Sequence, residues 1–217
     1  NLSAENRSWK AEEVFDFPKD HVLHQPQEVV TDSKLFVEWL YWTGILHDVE
    51  TGKLYGVQYT LFQMDLQPGL MAFINHVALS DVYNSQHPLY GYSILPEQAN
   101  ITSGTDGNKG AYWRYEDNQT NLTYWSDLDS WNIITHGSAS VGGGKSQNLS
   151  MNLTIANDKA DYYMQSPTGI TELGTCLSIG SDAMAGRSYY YSHPAMSTTG
   201  TITIGRRTIN VTGDSWF

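Results

Sequence analysis

Leu35 to Leu46 reads LFVEWLYWTGIL, and Leu54 to Met64 reads LYGVQYTLFQM. In the second run Tyr55, Val57, Tyr59 and Leu61 share one face, the alternation of a half-buried strand. The first run is rich in the aromatic and β-branched residues that suit a pleated surface. Asp48 and Gly52 supply a turn between them, so the two runs predict a β-hairpin. Outward from this hairpin, short runs recur with turn residues between them: 70–80, 110–115, 121–125, 131–140, 150–156, 160–165, 186–192, 200–204 and 208–213. No segment holds an i, i+3, i+4, i+7 apolar pattern for three turns. The expected fold class is therefore all-β, an antiparallel barrel or sandwich. Val141-Gly-Gly-Gly-Lys145 reads as a flexible loop, since it lacks the spacing of a phosphate cradle.

Residues 1–34 are polar and irregular, with Pro18 and Pro26 forbidding a long regular element. Residues 35–217 form the expected β-domain. Charged residues are only 16%, and the chain holds 7 Trp, 14 Tyr and 6 Phe, a composition that excludes a disordered chain. The net charge of −11 excludes nucleic-acid binding, which depends on neutralising phosphates with Lys and Arg. No apolar run reaches the roughly 18 residues of a membrane span.

Eight of the asparagines open an N-x-[ST] sequon: Asn1, Asn6, Asn100, Asn118, Asn121, Asn148, Asn152 and Asn210. A Ser/Thr-rich surface would give about two or three by accident, so the excess points to a secreted glycoprotein. Cys176 stands alone, either as a buried thiol or as the partner of a cysteine outside these residues.

Motifs of nucleophilic and metal chemistry are missing. Asp20, His21 and His24 suggest a metal pair, but no third and fourth ligand follows at a usable spacing, so no metal is expected. There is no G-x-S-x-G elbow. More informative are polar residues inside apolar strands. Glu38 lies among Phe36, Val37, Trp39 and Leu40, Gln58 among Tyr55, Tyr59 and Phe62, and His76 in FINHVAL. Glu38 faces solvent, accepts from a buried donor, or lines a ligand cavity. Three such residues in neighbouring strands point to a lined interior rather than a filled core. On that expectation Glu38, Tyr41, Gln58 and His76 surround one cavity walled by Trp39, Tyr59 and Phe62, although alternation places Glu38 and Tyr41 on opposite faces.

The runs Phe17-Pro-Lys-Asp-His21, Glu38-Trp39-Leu-Tyr41-Trp-Thr43-Gly44 and Tyr55-Gly56-Val-Gln58-Tyr-Thr60-Leu-Phe62 resemble the hydroxyneurosporene synthase (carotenoid hydratase) family. That family includes kievitone hydratase and the lipocalin-like fungal Diels–Alderases. His76-Val-Ala-Leu-Ser80-Asp81, Tyr190-Tyr191-Ser192-His-Pro194 and Gly213-Asp-Ser-Trp216-Phe217 resemble its later segments, in the same order. The resemblance implies two consecutive lipocalin-like β-domains, with a site for small hydrophobic unsaturated substrates in or between them. It adds Tyr191 and Trp216 to the substrate-binding candidates, and implies neither cofactor nor metal. Three departures stand out. Leu40 replaces the second tryptophan of a family pair, His193 stands where an Arg is usual, and the sequence stops at Phe217, before the family's Asp-His-Glu-Trp-Gly-like run. The expected partner of this chain is thus its own second β-domain.

The expected function is a secreted, cofactor-independent cyclase of Diels–Alder type, with Glu38, Gln58 and His76 as its catalytic groups. A cycloaddition needs no nucleophile, only reacting ends held close and a donor that polarises a carbonyl. The alternative is a hydratase or dehydratase, with Glu38 kept protonated by an apolar site. A non-catalytic lipocalin-type binder is the third reading.

Overall fold

A computed structural model describes residues 15–24, 37–67, 70–159, 161–166, 169–172 and 187–217. Asn1, Asn6 and Cys176 lie outside the described residues. The expected hairpin forms β1 (Val37–Asp48) and β2 (Leu54–Gln67), joined in register from Val37↔Met64 to His47↔Leu54. β3 (Leu70–Asp81) and β4 (Leu89–Ile94) extend it as an antiparallel meander. After β5 (Asn100–Asp106), β6 (Gly110–Glu116) and β7 (Thr120–Trp125) come the long strands β8 (Ser130–Gly142) and β9 (Lys145–Ala156). Two short ribbons pair β10 (Tyr163–Met164) with β13 (Tyr191–Ser192), and β11 (Ile170–Glu172) with β12 (Arg187–Tyr189). The last strands are β14 (Met196–Ile204) and β15 (Arg207–Trp216). Among the described residues there is no α-helix, only single 3-10 turns. None of these is long and apolar enough to cross a membrane.

The sheet runs β4-β3-β2-β1-β15-β14-β9-β8-β7-β6-β5, and Leu89 of β4 pairs with Ser140 of β8. Eight strands thereby close a ring, while β7, β6 and β5 run on from the first half of β8. Closure of the ring rests on the Leu89–Ser140 pair, and β5 is left as the free edge of the sheet. The glycine stretch at 142–144 is the tight β8–β9 hairpin rather than a flexible loop. Gly142, Gly143 and Gly144 all have positive φ (87°, 59° and 72°), the backbone such turns require.

The interior is filled, which corrects the expectation of a lined cavity. Trp42, Tyr59, Leu61, Tyr115, Leu122, Trp131 and Ile133 are buried, and Trp131 packs on Trp42 and Tyr124 with ring centroids 4.8 and 4.7 Å apart. Several polar groups inside are spent on one another, although the buried Trp42 Nε1 has no hydrogen-bond partner among the described residues. Tyr59 Oη donates to Asn75 Oδ1 (2.8 Å), Asn75 Nδ2 to Tyr115 Oη (3.1 Å), and Tyr115 Oη to Asp117 Oδ2 (2.6 Å). This satisfied chain ties β2 and β3 to β6.

Residues 15–24 stopper the end of the barrel where β1 begins. Leu23 joins the core, and Phe17 stacks on His21 (4.4 Å) and Tyr162 (4.3 Å).

Candidate functional site

Strand alternation decides where each candidate side chain goes. Leu40, Trp42 and Leu46 of β1 point inward, as do Val57, Tyr59 and Leu61 of β2 and Val77 and Leu79 of β3. Trp39, Tyr41, Gln58, Phe62 and His76 therefore face outward. Pairing sets them in rows across the sheet: Trp39–Phe62–Ile74, Tyr41–Thr60–His76 and Trp216–Thr43–Gln58–Ala78. Six of the nine catalytic and substrate-binding candidates thus share the outer face of β15, β1, β2 and β3. Trp39 remains 38% exposed and Trp216 42%, and both are large aromatics on one patch. Phe62 links Trp39 (6.3 Å) to the edge of His76 (5.4 Å). His76 leans over Gly91, where an added Cβ would come within 3.0 Å of His76 Cδ2. Gly91 therefore leaves the room that the imidazole occupies.

The other three candidates are elsewhere. Tyr59 is in the core, as above. Glu38 faces the stopper: its carboxylate accepts from the backbone N–H of His24 (2.8 Å) and bonds His24 Nδ1 (2.6 Å). Tyr191 packs against the stopper and contacts His21 and Phe17. The expected gathering of Glu38 with Gln58 and His76 does not occur, because Glu38 is on the inward face of β1 while Gln58 of β2 and His76 of β3 face outward.

The two stopper histidines do not share a ligand position. His24 Nε2 meets Asp20 Oδ1 at 2.9 Å while Nδ1 meets Glu38, so both ring nitrogens are held by carboxylates. These hydrogen bonds raise its pKa to about 10. His21 is buried; Nδ1 meets Tyr191 Oη at 2.8 Å and Nε2 meets Tyr162 Oη at 2.9 Å. Tyr162 Oη donates onward to Asp129 Oδ2 (3.1 Å), so Nε2 carries the His21 proton and Tyr191 donates to Nδ1. Burial pushes the His21 pKa down to about 4, against the opposing pull of Asp129. The sequence singles out the Asp20–His21–His24 spacing but gives no sign of Asp129, more than a hundred residues away.

Opposite shifts on neighbouring histidines predict how stability follows pH. His24 is protonated in the fold, so its contribution is complete below about 6.5 and is lost as pH rises towards 10. His21 is neutral in the fold, so its contribution is complete above about 6.5 and is lost as pH falls towards 4. Denaturant midpoints measured across that range should peak near the ordinary histidine pKa. In a His24→Gln protein the alkaline decline should flatten while the acid limb remains. An unchanged alkaline limb would mean that the Asp20–His24–Glu38 bridge contributes nothing.

A family model described as AttH-like matches residues 8–217. Among solved structures, the chain is similar to a protein from Nitrosomonas europaea assigned to AttH, with a TM-score of 0.65 and 21% identity. The match covers 93% of this chain and 53% of that one, so this chain spans about half the length of the solved protein. At that identity the likeness is one of fold. No curated protein matches the chain.

Proposed function

Because the chain belongs to the AttH-like family, whose model spans nearly all of it, we propose that it supplies one wall of a site for a small hydrophobic unsaturated molecule. The wall is the aromatic outer face of β15, β1, β2 and β3, and a second β-domain of the same protein covers it. The observation that carries this reading is the division of the candidates: the interior is full, while Trp39, Tyr41, Gln58, Phe62, His76 and Trp216 stand together outside. The half-length match supports a further domain, and so does the sequence resemblance to carotenoid hydratases and fungal Diels–Alderases.

The chemistry best suited to this wall is a cofactor-independent cyclisation of Diels–Alder type on a terpenoid or polyketide. Aromatic faces hold the two reacting ends close, which supplies much of the needed acceleration through lost translational freedom. Gln58 lies opposite Ala78 and His76 two residues further along β3, a diagonal separation of about 7–8 Å. An amide and an imidazole at that spacing can both donate to a carbonyl on the substrate and draw electron density from its alkene. Two π bonds are consumed and two σ bonds form, with no atom gained or lost.

Hydration or dehydration is the second reading, and Glu38 is its acid. Glu38 lies beside Gln63, which lines a cleft of about 270 Å³ with Met71, Phe73, Pro96, Ala99 and Ile101. Its carboxylate is engaged by His24, on the other side of the sheet from the aromatic wall; that favours cyclisation. The protein enters the secretory pathway, a proposal that rests on the sequons.

The test is incubation of the full-length protein with polyene–enone substrates, followed by mass analysis. A product of unchanged mass with fewer double bonds supports cyclisation. Gain of a water molecule moves the assignment to hydration, and binding without conversion leaves a carrier.

A further inference from the structure

Six of the sequon asparagines lie among the described residues, and the fold sorts them. Asn100, Asn118, Asn148, Asn152 and Asn210 are exposed, whereas Asn121 is half-buried. Asn210 lies on β15, which also carries Trp216, and none of the six falls on β1, β2 or β3, the other strands of the aromatic wall. Asn148 and Asn152 project from β9, which stands diametrically opposite β2 in the ring of eight strands.

Strand register aligns three of them. Asn121 pairs with Ile134, Ile134 with Asn152, Asn152 with Thr201 and Thr201 with Asn210. The row crosses five strands, with a sequon asparagine on every second one, about 10 Å apart. The surface around it is unusual for a solvated sheet. Residues 132–138, 148–154 and 197–203 contain no Asp, Glu, Lys or Arg, and Ile134 is 45% exposed in the middle of the row. Exposed sheet faces ordinarily carry charges that keep molecules apart. Charges flank the row instead, with Glu116 paired to Asn121 at one end and Asp214 on β15 near the other, and its middle is left to a neutral hydrophilic cover.

We infer that the outer face of β7, β8, β9, β14 and β15 bears N-linked glycans at Asn148, Asn152 and Asn210, and that Asn118 rather than Asn121 carries sugar at the β6–β7 turn. Asn118 is exposed on that turn. Asn121 is tied, with Nδ2 donating to Glu116 Oε1 (3.3 Å) and Oδ1 accepting from Thr123 Oγ1 (3.0 Å). The donor is a polyprenyl-diphosphate-linked oligosaccharide. The asparagine Nδ2 bonds to the anomeric carbon and loses a proton, while the bond from that carbon to the diphosphate oxygen breaks and the diphosphate leaves with the electron pair. Sugars at Asn148 and Asn152 cover Ile134 on the side of the ring opposite β2, while Asn210 shares the outer face of β15 with Trp216, six residues along the strand. The inference rests on passage through the secretory pathway, not on the chemistry of the wall.

The full-length protein, secreted by a eukaryotic host, tests it. Glycans are released by an amidase in heavy-oxygen water, which leaves a labelled Asp at each occupied position for peptide mass analysis. The expected result is label at Asn148, Asn152 and Asn210 in most molecules, and more at Asn118 than at Asn121. Secreted protein with Asn152 and Asn210 unlabelled would overturn the glycan face and leave secretion standing. Unlabelled protein confined to the cytosol would overturn both.

Discussion

A Trp131→Ala protein is expected to lose about 3–5 kcal/mol of stability, the usual cost of emptying a large aromatic site. For a domain of this size that is a fall in Tm of roughly 6–20 °C. Trp131 is 2% exposed and sits among Trp42, Tyr124 and Phe217, with Phe217 at 5.8 Å. Trp42 and Tyr124 are held on the paired strands β1 and β7, and Phe217 by its backbone bonds with His193, which limits how far the walls can move in to fill the space. Thermal unfolding followed by circular dichroism measures the loss. A fall of less than about 1 kcal/mol would mean that the interior collapses around the gap and is not the single packed core described above.

His76→Ala in the full-length protein is expected to act in the opposite way. His76 is exposed and lies against Phe62. Its removal should change the unfolding midpoint little, since surface substitutions are usually within about 0.5 kcal/mol. Turnover of the cyclised product should fall about 100-fold, the typical worth of one donor aimed at developing charge. His76→Asn, which keeps a donor, should recover part of the loss. Steady-state product formation by the two variants decides the matter, and full turnover by His76→Ala would remove the imidazole from the reaction.

The contrast between these two substitutions reflects what the sequence could and could not reveal. The hairpin of β1 and β2 is legible because its alternation is strong and both ends are marked by turn residues. β4 and β5 are not: Tyr90 and Tyr92 alternate with Gly91 and Ser93, and Asn100–Asp106 is polar on both faces, so composition suggests turns. What makes them strands is pairing with β3 and β6, a tertiary effect that outweighs local preference. The polar residues Gln58 and His76 were conspicuous for a simple reason, since an outward position is where a strand of this kind tolerates polarity. Reading them as an interior lining inverted the face, although the same residues do come together. The stopper was the least legible part. Phe17, His21 and Leu23 belong to an irregular polar stretch, and their partners Tyr124, Asp129 and Tyr162 come from distant segments that no periodicity connects to it.

Gln58 and Tyr59 are adjacent in the chain and lie on opposite faces of β2, one on the aromatic wall and the other in the filled interior. Product formed per folded molecule by Gln58→Ala and by Tyr59→Phe, in the full-length protein, therefore tests directly which face carries the reaction. Gln58→Ala is expected to keep its unfolding midpoint and lose turnover by a factor of order 100. Tyr59→Phe is expected to keep its turnover and lose about 1–3 kcal/mol of stability, because Asn75 is left with an unpaired buried oxygen. Retained turnover in Gln58→Ala with its loss in Tyr59→Phe would place the reaction inside the barrel and contradict the account.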